Sequence, residues 1–285
     1  MSTPVLSVVI PAHNAADTLV EQLDGIAAGV ADREVEIVVV DNRSTDATAS
    51  VVETWAASTP ANLDVRVVAA ADRAGEPYAR NVGLDAARAD RIAYCDADDI
   101  VHPGWVDAMV RGLDAAPYVT GPIDMTSLNE PWIADVRGSS VTGESLLWDE
   151  IPYAHGCNMG FRRAELEAVG GFDERYIAAC DLDIAIRMFE AGHQLRFEPD
   201  AGVAYRLRPS LRATYEQGVF YGRWRGPIRD RVARHTDVGS TLTVRAKRLL
   251  WLARTAVPAT WRRPLRARWV WVAGQLVGEV RRATP

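Results

Sequence analysis

The stretch Ala89-Asp90-Arg91-Ile92-Ala93-Tyr94-Cys95-Asp96-Ala97-Asp98-Asp99 decides the fold. A short apolar run, Ile92 to Cys95, ends on three carboxylates, and such a bounded run reads as a buried strand. In extended backbone, residues two apart share a side. Asp96 and Asp98 are therefore expected to converge while Asp99 faces away. Two carboxylates aimed at one point repel unless a cation lies between them. A hard divalent ion, Mg2+ or Mn2+, suits an all-oxygen pair with positions left for phosphate oxygens. Taken alone, D-x-D reads equally well as an acidic surface turn; its neighbours give it weight.

Working outward, Leu6 to Pro11, Glu36 to Asp41 and Val65 to Ala69 are further apolar runs of strand length. Leu19, Leu23 and Ile26 fall at helical spacing within 15–29, and helices are also predicted near 47–58, 77–88 and 103–114. Tyr118 to Ile123 reads as a strand, Gly156 to Arg163 as a strand-like piece, and Asp181 to Met188 as the opening of a helix. Strands apolar throughout, alternating with helices, predict an α/β fold with a mostly parallel sheet covered on both faces. Ligands of such sheets bind beyond the carboxyl ends of the strands. Pro11-Ala12-His13, Asp41-Asn42 and Asp96-Ala97-Asp98 all fall at such ends.

The chain has 285 residues, 48% hydrophobic, enough for one large domain and an appended segment. Its net charge of −6 hides a split. Residues 1–200 hold 14 Lys/Arg and 34 Asp/Glu, while residues 201–285 hold 18 and 4. The expected division is thus 1–205, carrying the strand-end motifs, and 206–285, a basic helical segment. Residues 244–282 carry ten Arg/Lys, one glutamate (Glu279) and four tryptophans, Trp251, Trp261, Trp269 and Trp271. A helix with a cationic face and tryptophan on the other predicts an anionic membrane surface as partner. The competing expectation is packing on the acidic body or on a second subunit, a homo-oligomer. Nucleic acid is not expected, because the acidic body would repel it. No apolar run reaches spanning length. Met1-Ser2-Thr3-Pro4 lacks the pattern of a secretory signal, and the three cysteines, Cys95, Cys157 and Cys180, lack metal-type spacing. A cytoplasmic protein, peripheral at the membrane face, is expected.

Five stretches, in order, resemble the inverting family-2 glycosyltransferases of the GT-A fold. They are Ser7-Val8-Val9-Ile10-Pro11-Ala12-His13-Asn14, Val39-Val40-Asp41-Asn42-Arg43-Ser44-Thr45-Asp46, Ala79-Arg80-Asn81-Val82-Gly83-Leu84, Asp96-Ala97-Asp98-Asp99, and Gly170-Gly171-Phe172-Asp173-Glu174 with Asp181-Leu182-Asp183. The resemblance covers about residues 5–205 and implies roles position by position. Pro11, Ala12 and His13 would line the nucleotide base, and Asp41 would accept a hydrogen bond from it. Arg80 would lie near the base or diphosphate. Asp96 would contact the ribose or the metal shell, Asp98 would bind the metal bridging the diphosphate, and Asp181 would be general base on the acceptor hydroxyl. The chain departs from the pattern twice: Cys180 stands where the family has the glutamate of a Glu-Asp pair, and His13 replaces a tyrosine.

The resemblance implies transfer of a sugar from a nucleoside-diphosphate sugar, a UDP-sugar first, to a hydroxyl acceptor in cell-surface polysaccharide, glycolipid or glycosylated-metabolite synthesis. One rival is a nucleotidyltransferase, but the first strand ends Pro-Ala-His-Asn rather than in a Gly-rich basic loop. The other is a non-enzymatic peripheral membrane module built on the basic segment. Outside the motifs, Asp183 and Arg187 read as an exposed helix pair, and Cys95 and Cys180 as buried small residues. The aromatics Trp132, Trp148 and Tyr153 in the irregular stretch 124–155 read as a substrate lip or as loop anchors.

Overall fold

The alternating apolar runs become strands and helices in chain order. The computed structural model describes residues 3–138 and 140–285; Met1 and Ser2 of the N-terminal reading lie outside the described residues. The elements are β1 (Leu6–Ala12), α1 (Leu19–Ala28), β2 (Val35–Asp41), α2 (Thr48–Ala56), β3 (Leu63–Ala69), α3 (Glu76–Ala86), β4 (Arg91–Tyr94), β5 (Ile100–Val101), α4 (Trp105–Ala115), β6 (Tyr118–Thr120), β7 (Ile123–Asp124), β8 (Ser145–Leu147), β9 (Ile151–Tyr153), β10 (Met159–Arg162), α5 (Arg163–Ala168), α6 (Cys180–Glu190), β11 (Leu195–Phe197), β12 (Val203–Ala204), α7 (Leu211–Val232), α8 (Thr241–Trp261) and α9 (Arg263–Val280).

They fall into two units. The first holds the residues up to Asp124, Val141–Leu146 and Ile151–Tyr205; the second holds Met125–Ser140, Leu147–Glu150 and Arg206–Pro285. The second unit therefore includes two pieces of the irregular stretch as well as the basic segment.

In the first unit a seven-stranded sheet runs β11-β6-β10-β4-β1-β2-β3. Strands β4, β1, β2 and β3 are mutually parallel. Only β10 runs against its neighbours β4 and β6. Side chains alternate across the strands. Val8 and Ile10 of β1 and Ile37 and Val39 of β2 join Leu19, Leu23, Ile26, Val106 and Met109 in one core. Val9, Val38 and Val40 join Leu84, Ile184 and Met188 in the other. Two cores, one per face, explain why these strands are apolar at every position. The register pairs Ala12 with Asp41 and Asp41 with Ala69, so three parallel strands end level at one rim.

The second unit is helical, and its tightest contact is between α7 and α9. A Cβ at Gly222 would lie 2.2 Å from the Gln275 carbonyl oxygen, and one at Gly278 2.2 Å from that of Val219. Only glycine lets the two backbones approach this closely. Glu279 is buried and receives Arg225 (3.3 Å), Arg245 (3.0 Å) and Arg248 (2.7 Å). Two of the loop aromatics are anchors within this unit: Arg263 stacks on Trp132 at 4.2 Å and Arg225 on Trp148 at 5.9 Å; Tyr153 belongs to β9 of the first unit. Among the described residues, no helix is long and apolar enough to cross a membrane.

Candidate active site

The residues expected to line a nucleotide base sit where β1 and β2 end. The exposed His13 ring is held by Nδ1, 2.8 Å from the Asn42 carbonyl oxygen. Asp41 is half-buried, and its Oδ1 accepts from the Ser44 N–H at 3.0 Å. Asn14 takes a left-handed conformation (φ 51°), and its Oδ1 accepts from the Thr45 N–H at 2.8 Å. The sequence reading missed Asn42 as a latch. Its Nδ2 donates to the Ala70 and Arg73 carbonyls, both at 2.7 Å, and its Oδ1 accepts from the Gly75 N–H at 2.9 Å. One buried amide therefore ties the loops after β2 and β3 to the start of α3. Asn42→Ala leaves these groups unsatisfied. The expected cost is about 1–3 kcal/mol, read as a lower urea midpoint; an unchanged midpoint would show the latch to be idle.

Arg80 does not lie open at the rim. It is 1% exposed, carried on α3, and bonded on several sides. Its Nη2 donates to the Gly156 carbonyl at 3.0 Å and reaches Asp96 Oδ1 at 3.5 Å, while Nη1 donates to Cys180 Sγ at 3.1 Å. Glu76, one turn earlier, pairs with Nη2, and the Phe172 ring lies 5.4 Å from the guanidinium carbon. Burial is the largest single influence and disfavours the arginine's charge, but the negative groups facing it, Glu76 foremost with Asp96 and Asp181, together outweigh burial and push its pKa up. Burial also pushes the Cys180 thiol up, so Cys180 offers neutral sulfur where the family pattern has a carboxylate. A negative charge does stand beside Arg80, on Glu76. A Cβ at Gly156 would lie 2.7 Å from Nη2, so this loop closes on the guanidinium only because the residue is glycine.

The acidic stretch departs from the extended geometry expected of it. Residues 97–98 form a turn, and this breaks the two-residue alternation. Asp99 accordingly does not face away. It is wholly buried, and its carboxylate, that of Asp96 and the Cys157 thiol lie within 4.8 Å of one another, a grouping that does not include Asp98. Asp98 is half-buried and close enough for its charge to act on Asp96. Burial first, then the negative charges of Glu76, Asp98 and Asp181, push the Asp96 carboxyl up to about 7 against the pull of Arg80. Its side chain is still 29% exposed. Two carboxylates and a thiol so disposed fit a divalent cation, with sulfur favouring softer ions over Mg2+.

Asp181 opens α6. Its Oδ2 accepts from the Gly156 N–H at 3.2 Å and its Oδ1 from the Leu182 N–H at 2.9 Å. Burial and Glu76 raise its pKa above the ordinary value, while Arg80 and these two N–H groups oppose the rise. Asp183 and Arg187 are not an exposed pair: Asp183 is wholly buried and Arg187 bonds it at 2.7–2.9 Å. Asp183 is therefore committed elsewhere. Cys95 and Cys180 are buried, as expected of small core residues.

The model of glycosyl transferase family 2 matches residues 7–170, and that of glycosyl transferase family group 2 matches residues 91–284. The pre-mycofactocin glycosyltransferase of Mycobacterium tuberculosis is 27% identical over 252 residues, 84% of this chain and 50% of its own. The succinoglycan biosynthesis protein ExoO of Rhizobium meliloti is 31% identical over 223 residues, 72% of this chain and 61% of its own. The chain thus spans half to three-fifths of the length of these two relatives. Among solved structures, the mannosyltransferase PcManGT of Pyrobaculum calidifontis, in complex with GDP-Man and Mn2+, superposes with a TM-score of 0.64 at 21% identity, covering 99% of this chain and 87% of that one. Staphylococcus aureus TarS 1-349 with UDP-GlcNAc gives 0.55 at 19%, covering 97% and 91%. At such identities the likeness is one of fold, and that fold is GT-A. With the strand-end motifs gathered on one rim and the family model matched over more than half of the sequence, this chain belongs to glycosyl transferase family 2.

Proposed function

We propose that the protein is an inverting glycosyltransferase that moves a sugar from a nucleoside-diphosphate sugar to a hydroxyl acceptor. One observation carries the reading: Asp96 and Asp181, far apart in sequence, act on one buried guanidinium, Arg80, beyond the carboxyl ends of parallel strands. Names of similar proteins support the donor class, through GDP-Man and UDP-GlcNAc in the solved neighbours, with a UDP-sugar as the first candidate. The relatives' names support an acceptor in cell-surface polysaccharide or glycosylated-metabolite synthesis.

In this mechanism Pro11, Ala12 and His13 line the base and Asp41 accepts a hydrogen bond from it. Asp96 and the half-exposed Asp98 would hold a divalent ion, Mn2+ or Mg2+, with the enclosed Asp99 and Cys157 on its inner side. Bound there, such an ion would supply neutralisation of the charge developing on the diphosphate. Asp181 takes the proton from the acceptor hydroxyl as its oxygen attacks the anomeric carbon. The bond to the diphosphate breaks in the same displacement, so the centre inverts and no protein nucleophile is needed. Arg80 carries no substrate; it fixes the carboxylates that do.

Calorimetry with UDP, with and without Mn2+, tests the reading. Asp98→Asn should weaken Mn2+-dependent binding more than Asp99→Asn does, because Asp98 is the reachable carboxylate. Binding should also strengthen with pH. Below about 7 the Asp96 carboxyl holds a proton that the ion must displace, so affinity falls by up to about tenfold per pH unit on the acid side. Equal binding with and without metal at every pH would remove the metal from the mechanism.

A further inference from the structure

The helix α8 is amphipathic in the opposite sense from an ordinary surface helix. Arg245 and Arg248 turn inward, to Glu279. The apolar side chains turn outward: Leu242 is 76% exposed, Leu249 58%, Leu250 50%, Val257 62% and Trp261 70%. With the exposed Ala246 and Ala253 they are spaced three and four residues apart, so they form one stripe along the helix. Exposed Lys247 and Arg254 border the stripe on one side and the half-exposed Arg245 on the other. Residues 238–278 contain no Asp or Glu at all. The other tryptophans of this segment are committed inward: Trp271 is buried, Trp269 donates to the Leu252 carbonyl at 3.0 Å, and Arg268 stacks on Trp251 at 5.9 Å. Only Trp261 is left facing solvent among these four.

A contiguous exposed apolar stripe marks an interaction surface. The charge around it selects the occupant. Cations flank the stripe and acids are missing, which matches a negatively charged sheet of phosphates rather than a protein partner of mixed charge. The stripe is convex, the crest of one helix rather than a groove for another. A helix of 21 residues is about 30 Å long, so it lies on a bilayer with apolar side chains at the acyl boundary and cations at the headgroups. We propose that α8 docks the protein on an anionic lipid bilayer through Leu242, Leu249, Leu250, Val257 and Trp261, with Lys247 and Arg254 at headgroup level. The attachment is peripheral and reversible. It does not depend on the proposed glycosyl transfer.

The experiment is flotation of the full chain with vesicles of phosphatidylcholine alone or mixed with phosphatidylglycerol, at low and high salt. Binding is expected only to the mixed vesicles, and to weaken with salt. Lys247→Gln/Arg254→Gln should lower partitioning roughly 30-fold, at ~1 kcal/mol per cation. Leu249→Gln/Leu250→Gln should lower it at least as much. All four positions are exposed, so urea midpoints should stay at the parent value. Failure of the parent to float with mixed vesicles at low salt overturns the proposal. So does flotation of both variants at the parent's level. A concentration-dependent dimer in light scattering that Leu249→Gln/Leu250→Gln abolishes would assign the stripe to a second copy and also overturn it.

Discussion

Asp181→Asn is expected to bind donor nucleotide as tightly as the parent protein and to turn over roughly 10²–10⁴ times more slowly. The substitution keeps the shape, and its Oδ1 can still accept from one of the two N–H groups that orient the residue, Gly156 at Oδ2 and Leu182 at Oδ1 in the parent. What it loses is basicity. Because burial and Glu76 lift the Asp181 carboxyl above the usual range, the parent is a stronger base than a solvated aspartate. Its rate should therefore fall on the acid side at a higher pH than an ordinary carboxylate would give. Calorimetry with UDP and a product assay separate the two effects. Near-normal turnover in Asp181→Asn would place the base elsewhere. Asp183 would not be its successor, since it is wholly buried against Arg187.

The other large effect is expected at Arg80. Arg80→Met should lower stability by ~3–5 kcal/mol, because it removes a buried cation and leaves its carboxylates facing one another. Glu76, Asp96 and Asp181 would then repel, and the Gly156 carbonyl would lose its 3.0 Å donor. Glu76→Gln in the same chain should restore part of the loss by lowering the repulsion, a coupling that a double-mutant cycle reads directly. An Arg80→Met protein with the parent's urea midpoint would show that the guanidinium is not the hub described above.

The parallel half of the sheet was legible because Val38-Val39-Val40 and its equivalents are apolar at every position, which only a strand covered on both faces requires. The positions of Asp41, Asp96 and Asp181 at the ends of elements were legible because those elements have a clear period; the roles assigned to them came from the family resemblance. The geometry of Asp98 and Asp99 was not. The alternation rule holds only while the backbone stays extended, and the turn at 97–98 ends it. Glu76 had a local signal: it precedes Arg80 by four residues, just before the helix predicted near 77–88. Asn42 had a weaker one, since asparagine after a strand is ordinary turn chemistry. Gly156 and Cys157 had none. Their roles depend on β10 returning antiparallel between β4 and β6, and nothing local in 156–163 specifies which strands it joins. The stretches 125–140 and 147–150 were unreadable for the same reason, as their tryptophans are held by arginines a hundred residues away in sequence on average.

That returning strand also orders events during synthesis. The strands β1 to β4 are complete once residue 94 has left the ribosome, and they are mutual neighbours in the sheet. Arg80 is already among them on α3, but Gly156, Cys180 and Asp181 are not yet made. A nascent half-sheet that closed over this arginine would enclose a cation missing most of its partners, at a cost of several kcal/mol. The early strands are therefore expected to stay loosely docked, with hydrogen exchange still rapid in α3, until β10 and α6 emerge. The carboxylates and the guanidinium then lock together in a single late step, so a truncated chain ending before residue 156 should collapse without acquiring protected amides around Arg80.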